Sequence, residues 1–180
     1  KPTFVKFFNH KFSFSNIFYV INPFFNKKII LNFFIYNSVM SIWFKDYSEM
    51  NLEDLSIGID KTLGIEYLEL GDNFLKAKMP VNEHTKQPLG LLHGGASCVL
   101  AESVASFAAF LCINPEKNNI VGLNLNANHL KSINDGFVFA TAKPIHIGKS
   151  TSVWDVEITN ENQDLISIVK FTAMHKDITK

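Results

Sequence analysis

A chain of 180 residues with 47% apolar side chains is long enough to bury one core and too short for two domains of ordinary size. Basic and acidic residues balance at seventeen each, every basic one a lysine, and no Lys-rich stripe runs along the body of the chain, which argues against a general nucleic-acid binder. Cys98 and Cys112 fall on one predicted helix about 21 Å apart along its axis, which excludes an intrachain disulfide and suits free, buried thiols in a reducing cytoplasm.

Residues 1–39 differ from the rest. They hold ten of the seventeen Phe and five Lys, no Asp or Glu, and neither a clean alternation nor a helical period. The longest uncharged stretch, residues 29–44, contains Asn32, Asn37, Ser38 and Ser41 and falls short of the roughly 20 apolar residues of a membrane-spanning helix. A signal peptide fits no better, because Asn16, Asn22 and Pro23 break the first apolar stretch and no small-residue cleavage site follows. The segment reads as an atypical Phe/Asn/Lys-rich extension to a domain over residues 40–180, with Met40 the favoured natural start. The absence of Arg fits an AT-rich source.

Past Met40, Asn51 followed by Glu53 and Asp54 predicts a short capped helix ending near Gly58. Residues 63–70 and 74–79 alternate around Gly71-Asp72-Asn73, the pattern of a hairpin. Residues 80–92 are polar and punctuated by Gly and Pro, so they form a loop into a long helix that stops near Asn114-Pro115. Four strand-like runs follow, over residues 120–130, 137–146, 150–159 and 165–175, with turns between them. In the third, Trp154, Val156 and Ile158 alternate with Val153, Asp155 and Glu157, giving one buried and one wetter face. A hairpin, one buried helix and a four-strand antiparallel meander predict an α+β hot-dog fold, in which the sheet wraps the helix.

The helix carries the chemistry. In His93-Gly94-Gly95-Ala96-Ser97-Cys98-Val99-Leu100-Ala101-Glu102-Ser103 a histidine and a glycine pair precede a lone carboxylate, and Glu102 is the sole acid or base over residues 94–115. A helix apolar nearly all round is a buried one, so Glu102 is expected to be desolvated, with its pKa raised and no local partner. Perturbed acids of that kind cluster at active sites, although one acid alone could equally be structural and capped by a hydroxyl. No zinc-type spacing links the His, Cys and acidic residues, so no metal is assigned. Ser97 lacks the second glycine of a nucleophile elbow, and Cys98 reads as an inert buried thiol. His84 and His175 read as solvated.

The run Gln87-Pro88-Leu89-Gly90-Leu91-Leu92-His93-Gly94-Gly95-Ala96-Ser97, continuing to Glu102-Ser103, resembles the signature of hot-dog acyl-CoA thioesterases of the phenylacetate-degradation type. More narrowly it resembles the bacterial 1,4-dihydroxy-2-naphthoyl-CoA thioesterases of menaquinone synthesis and the proofreading thioesterases of enterobactin synthesis. Similarity spans about residues 42–175, including Gly122-Leu123, Asn126-Ala127-Asn128-His129 and Lys143-Pro144-Ile145-His146-Ile147-Gly148. The resemblance implies that Glu102 acts as nucleophile or as general base for water. It gives Gly94 the backbone N–H that binds the carbonyl oxygen, His93 and Gln87 the orientation of the thioester or water and help with thiolate departure, and Ser106 the placing of the attacking water. For CoA the matching positions are Gly122, His129, Leu130, Lys131, Ser132, His146, Ile147, Gly148, Lys149, Ser150 and Thr151. Lys131 and Lys149 stand where arginines are common nearby, and they meet phosphate without a bidentate fork. His129 and His146 can also be read as packing or surface residues on strands.

The resemblance further implies a homodimer with a shared active site, assembled into a dimer-of-dimers tetramer, working in the cytoplasm on an aromatic or medium-sized acyl-CoA. Cofactors, nucleic acid and membrane play no part in that reading, and CoA enters as part of the substrate. Two rival readings are a hot-dog dehydratase, whose His–acid pair removes a C2 proton, and an acyl-CoA binding module without turnover.

Overall fold

The computed structural model describes residues 41–178, and the readings of residues 1–39 and of Met40 lie outside them. Asn51 caps a 3-10 turn over Leu52–Leu55, its side-chain oxygen accepting from the Glu53 N–H. A second short helix, α1 (Ile59–Leu63), corrects the expectation of one helix ending near Gly58. Gly58, at φ 56°, starts α1, and Gly64, at φ 70°, ends it, both in left-handed backbone that favours glycine. The strand expected from residue 63 therefore begins only at Glu66.

β1 (Glu66–Leu70) and β2 (Leu75–Pro80) form the expected hairpin. The chain loops into α2 (Gly94–Leu111) and continues through β3 (Asn118–His129), β4 (Phe137–Ile147), β5 (Thr151–Asn160) and β6 (Leu165–Asp177). Every strand pair is antiparallel, in the order β1-β2-β4-β5-β6-β3. The expected four-strand meander is corrected: β4, β5 and β6 are neighbours, but β3 pairs with β6, and β2 lies beside β4. The link over residues 130–136 makes the crossing past the start of α2. There the Leu92 N–H donates to the Ile133 carbonyl at 2.8 Å and the Val81 N–H to that of Gly136 at 2.9 Å.

The sheet wraps α2, which touches β2 through β6. Ala101, Ala105, Ala108 and Ala109 face it, and the strands answer with Ala140 and Ala142, so the backbones approach closely. Larger side chains fill the space around that seam: Leu100, Val104, Trp154, Val156, Ile158 and Phe171 are all essentially solvent-free. Full burial of an aliphatic or Phe side chain contributes about 1.5–3 kcal/mol, so these hold the helix more strongly than the alanines do. By length and composition α2 is apolar enough to cross a membrane, and it is the core helix of this sheet. Trp154 keeps its indole N–H satisfied by donating to Ser152 Oγ at 3.0 Å. On the opposite face of β5, Val153 and Asp155 are half-buried and Glu157 is exposed, as the alternation predicts.

The two sheet edges differ. β1 is short and bears Glu66, paired with Lys78 at 2.9 Å. β3 is the other edge, twelve residues long and unpaired on its outer side among the described residues, with Val121 41% and Leu123 54% exposed.

Candidate active site

Thr85 anchors the loop that leads into α2. It is buried, its hydroxyl donates to the Pro80 carbonyl at 2.8 Å, and its carbonyl accepts from the His93 N–H at 2.9 Å. A tight turn follows Gln87, whose carbonyl accepts from the Gly90 N–H at 2.8 Å, with Gly90 at φ 80°. The Gln87 side-chain oxygen accepts from the Leu89 N–H at 2.6 Å, which leaves the amide NH2 as the group free to donate outward. His93 caps α2 in the same manner: its Nδ1 accepts from the Gly95 N–H at 2.8 Å, so in the neutral ring Nε2 carries the proton. Gly94 is the first residue of the helix, and its N–H has no intrahelical carbonyl to bond. The helix start thus presents three donors and the positive end of the helix dipole.

His129, at the end of β3, lies against that start. A Cβ on Gly94 would come within 2.6 Å of His129 Nε2, and Nδ1 of the same ring is 2.9 Å from Ser167 Oγ. A cavity of about 340 Å³ here is lined by Gln87, Gly94 and His129–Ser132 among others. Lys131 in it is already paired with Asp164 at 2.9 Å, and this contact holds the Asp164 carboxyl below its usual range.

Glu102 departs from the sequence expectation: it is exposed in this chain, not buried. The sheet covers one side of α2 and leaves open the stripe bearing Cys98, Val99, Glu102, Ser103 and Ser106, so an apolar helix is here buried on one side and not all round. Its carboxylate lies over β3, where a Cβ on Gly122 would meet Glu102 Oε1 at 2.9 Å and the Phe171 ring at 3.2 Å. Glu102 and Ser106 share a second cavity, of about 340 Å³, with Ile59, Val99 and Ser103. Both cysteines are free and half-buried instead of fully buried. Burial and the Glu102 charge push the Cys98 thiol up, and burial pushes Cys112 to about 12.

The third group of positions is the turn between β4 and β5, where the Gly148 N–H donates to the Thr151 carbonyl at 2.8 Å. A Cβ on Gly148 would meet His146 Nε2 at 2.6 Å. His175, expected to be solvated, is buried beneath this turn. Its ring bonds Ser152 Oγ at 3.0 Å, and its backbone N–H donates to the Ser150 carbonyl at 2.8 Å. His84, by contrast, is exposed as expected.

Within one chain these groups stay apart. Gly94 and Glu102 are eight residues apart on α2, a rise of about 12 Å. Gly122 and His129 are seven residues apart on β3, about 23 Å. The register places Gly122, Ala173, Ser152 and Ile147 in one row across the sheet, so the β4–β5 turn and Gly122 share one end while His129 is at the other.

The pattern of the thioesterase superfamily matches residues 89–167. A 1,4-dihydroxy-2-naphthoyl-CoA hydrolase from Escherichia coli is 47% identical over 62% of this chain and 81% of its own length. The proofreading thioesterase EntH of Cronobacter turicensis is 39% identical over 67% of this chain and 88% of its own length. The chain belongs to the thioesterase superfamily. A crystal structure of a mutant thioesterase from Pseudomonas aeruginosa superposes with a TM-score of 0.73 at 39% identity, covering 77% of this chain and all of that one. This thioesterase therefore has the hot-dog fold that its element pattern predicts, and it is an enzyme.

Sequence reasoning missed one polar cluster beside Glu102. Asp60 of α1 is buried, with Oδ2 accepting from the Tyr67 hydroxyl at 2.9 Å and Oδ1 from Ser103 Oγ at 2.5 Å. Burial and the Asp60 charge push the Tyr67 hydroxyl far above its usual range. Ser103, next to Glu102 in the chain, was the one available hint, and nothing local ties it to residue 60.

Proposed function

We propose that this thioesterase hydrolyses an aromatic acyl-CoA to the free acid and CoA at a site shared between two copies of the chain. The observation that carries the proposal is the separation of donors and carboxylate along an exposed edge strand. Pairing β3 with the β3 of a second copy, antiparallel about a two-fold near Leu125 and Asn126, sets Gly122 of each chain opposite His129 of the other. Glu102, over Gly122, then faces the partner's helix start, next to His129. The same pairing covers Val121 and Leu123 and ends the exposed edge.

The thioester carbonyl sits at the Gly94 N–H, where developing negative charge meets the dipole of α2, and His93 and Gln87 donate alongside it. Glu102 of the partner subunit attacks the carbonyl carbon, or takes a proton from a water that attacks it while Ser106 orients that water. The C–S bond breaks, the thiolate leaves as CoA with a proton, and one water is consumed per acid released. Gly122, His129–Ser132 and His146–Thr151 lie along the CoA path, with Lys149 as a free phosphate partner and Lys131 available only by exchange with Asp164. The hydrolysis requires no metal or redox cofactor, and free thiols suit a cytoplasmic enzyme. The tetramer is a dimer of such dimers.

The aromatic acyl group follows the naming of the Escherichia coli relative as a dihydroxynaphthoyl-CoA hydrolase. Release of free thiol, followed with a thiol-reactive dye, from 1,4-dihydroxy-2-naphthoyl-CoA, benzoyl-CoA and hexanoyl-CoA tests it. Faster release from the aromatic substrates is expected. Preference for hexanoyl-CoA overturns the aromatic assignment, and no release from any of the three overturns the acyl-CoA reading.

A further inference from the structure

We propose that Asp60 is a specificity-determining residue of this site: its buried carboxylate accepts a hydrogen bond from a hydroxyl group on the acyl ring. The inference rests on the acyl-CoA reading above. Ser103 and Ser106 border the Glu102 cavity and also a larger one of about 380 Å³ on the other side of them. That second cavity is walled by the rings of Tyr67, Phe107 and Phe110, with Asp60 among its lining residues. The Tyr67 and Phe107 rings are 5.7 Å apart and Phe107 and Phe110 are 6.1 Å apart in a stacked pair, an aromatic wall of the kind a flat acyl ring packs against. An acyl group whose carbonyl lies within reach of Glu102 has this space beside it.

The hydrogen-bonding capacity of the cluster sets which ring fits. Tyr67 and Ser103 each commit their only hydroxyl proton to Asp60, so towards the cavity both oxygens offer lone pairs alone. Asp60 has about four lone-pair sites and uses two of them. All three groups therefore accept and none donates, and a buried carboxylate gains from each further donor. A ring hydroxyl supplies one, a bare ring or an alkyl chain supplies none, and a ring carboxylate is repelled. A purely structural clamp, tying α1 to β1 through Tyr67 and to α2 through Ser103, would make the same two internal hydrogen bonds, but it would not discriminate between substrates.

The test compares kcat/KM for benzoyl-CoA with the 2-, 3- and 4-hydroxybenzoyl-CoA isomers and their methoxy counterparts, which keep similar ring electronics and lack the donor. In the wild-type enzyme at least one hydroxy isomer is expected to exceed both benzoyl-CoA and its own methoxy analogue by about tenfold or more. In Asp60→Asn, whose amide presents a donor in place of one acceptor oxygen, that ratio is expected to fall to within about threefold of unity. Equal treatment of benzoyl, hydroxy and methoxy substrates by the wild type overturns the inference while leaving thioester hydrolysis standing. A hydroxyl preference that persists undiminished in folded Asp60→Asn also overturns it. If that variant does not fold, the hydroxy-to-methoxy ratio in the wild type decides. If none of these thioesters is cleaved, the acyl-CoA reading fails and takes the inference with it.

Discussion

Glu102→Gln keeps the shape of the side chain and removes both its nucleophilicity and its basicity. It is expected to lower kcat by at least about a hundredfold. Because Glu102 is exposed and has no buried partner to strand, the melting temperature should stay close to wild type. Turnover at the wild-type rate would remove Glu102 from the mechanism. His175 supports a different kind of prediction. Burial lowers its pKa against the opposing pull of the Gly148 and Lys149 backbone, so the folded state holds the ring neutral at a pH where the unfolded chain already binds a proton. Unfolded chains therefore take up protons first as pH falls below about 6.5, and stability drops from there down through the folded pKa. Thermal unfolding at pH 7.5 and pH 5 should show the loss, and His175→Gln should lessen it. An identical pH slope in the variant would assign the acid sensitivity to other groups.

α2 sits in the sheet through small side chains, and the depth of that seat is set by alanines with no exposure, Ala105 among them. Ala105→Leu has to push the helix and sheet apart or force strained rotamers, at a cost of about 1–3 kcal/mol. Urea denaturation should show a lower midpoint; an unchanged midpoint would mean that the seam has slack. The elements themselves were largely legible in the sequence. β4, β5 and β6 each alternate over a single buried face, and their bounds fall within two residues of the pattern. What local pattern does not encode is neighbour choice: chain order suggests β3 beside β4, and β3 lies across the sheet beside β6. Gly58 reads as a helix stop in the sequence and starts α1 in the fold, because glycine at positive φ serves either end of a helix. The helix-start signature is contiguous and was readable, whereas Asp60 and Ser103 meet only through the packing of α1 on α2.

At the scale of the whole molecule the open stripe around Glu102 and the exposed edge of β3 are both accounted for by the second copy of the chain proposed above. A shared site gives this a sharp consequence, because damage to the two halves can be placed on different chains. Glu102→Gln disables the carboxylate half, and Gly94→Ala disables the helix-start half by driving a methyl group to within 2.6 Å of the His129 ring unless that ring moves. Each variant alone should be nearly inactive. Co-expressed in equal amounts, half the dimers are mixed, and each mixed dimer has one site with both defects and one with neither, so about a quarter of wild-type activity should return. If each site were built from a single chain, every site in the mixture would carry one lesion and no activity would return. Sedimentation of the mixture, with the two variants distinguished by tags, confirms that mixed dimers formed, so a failure to recover activity counts against the shared site and not against assembly.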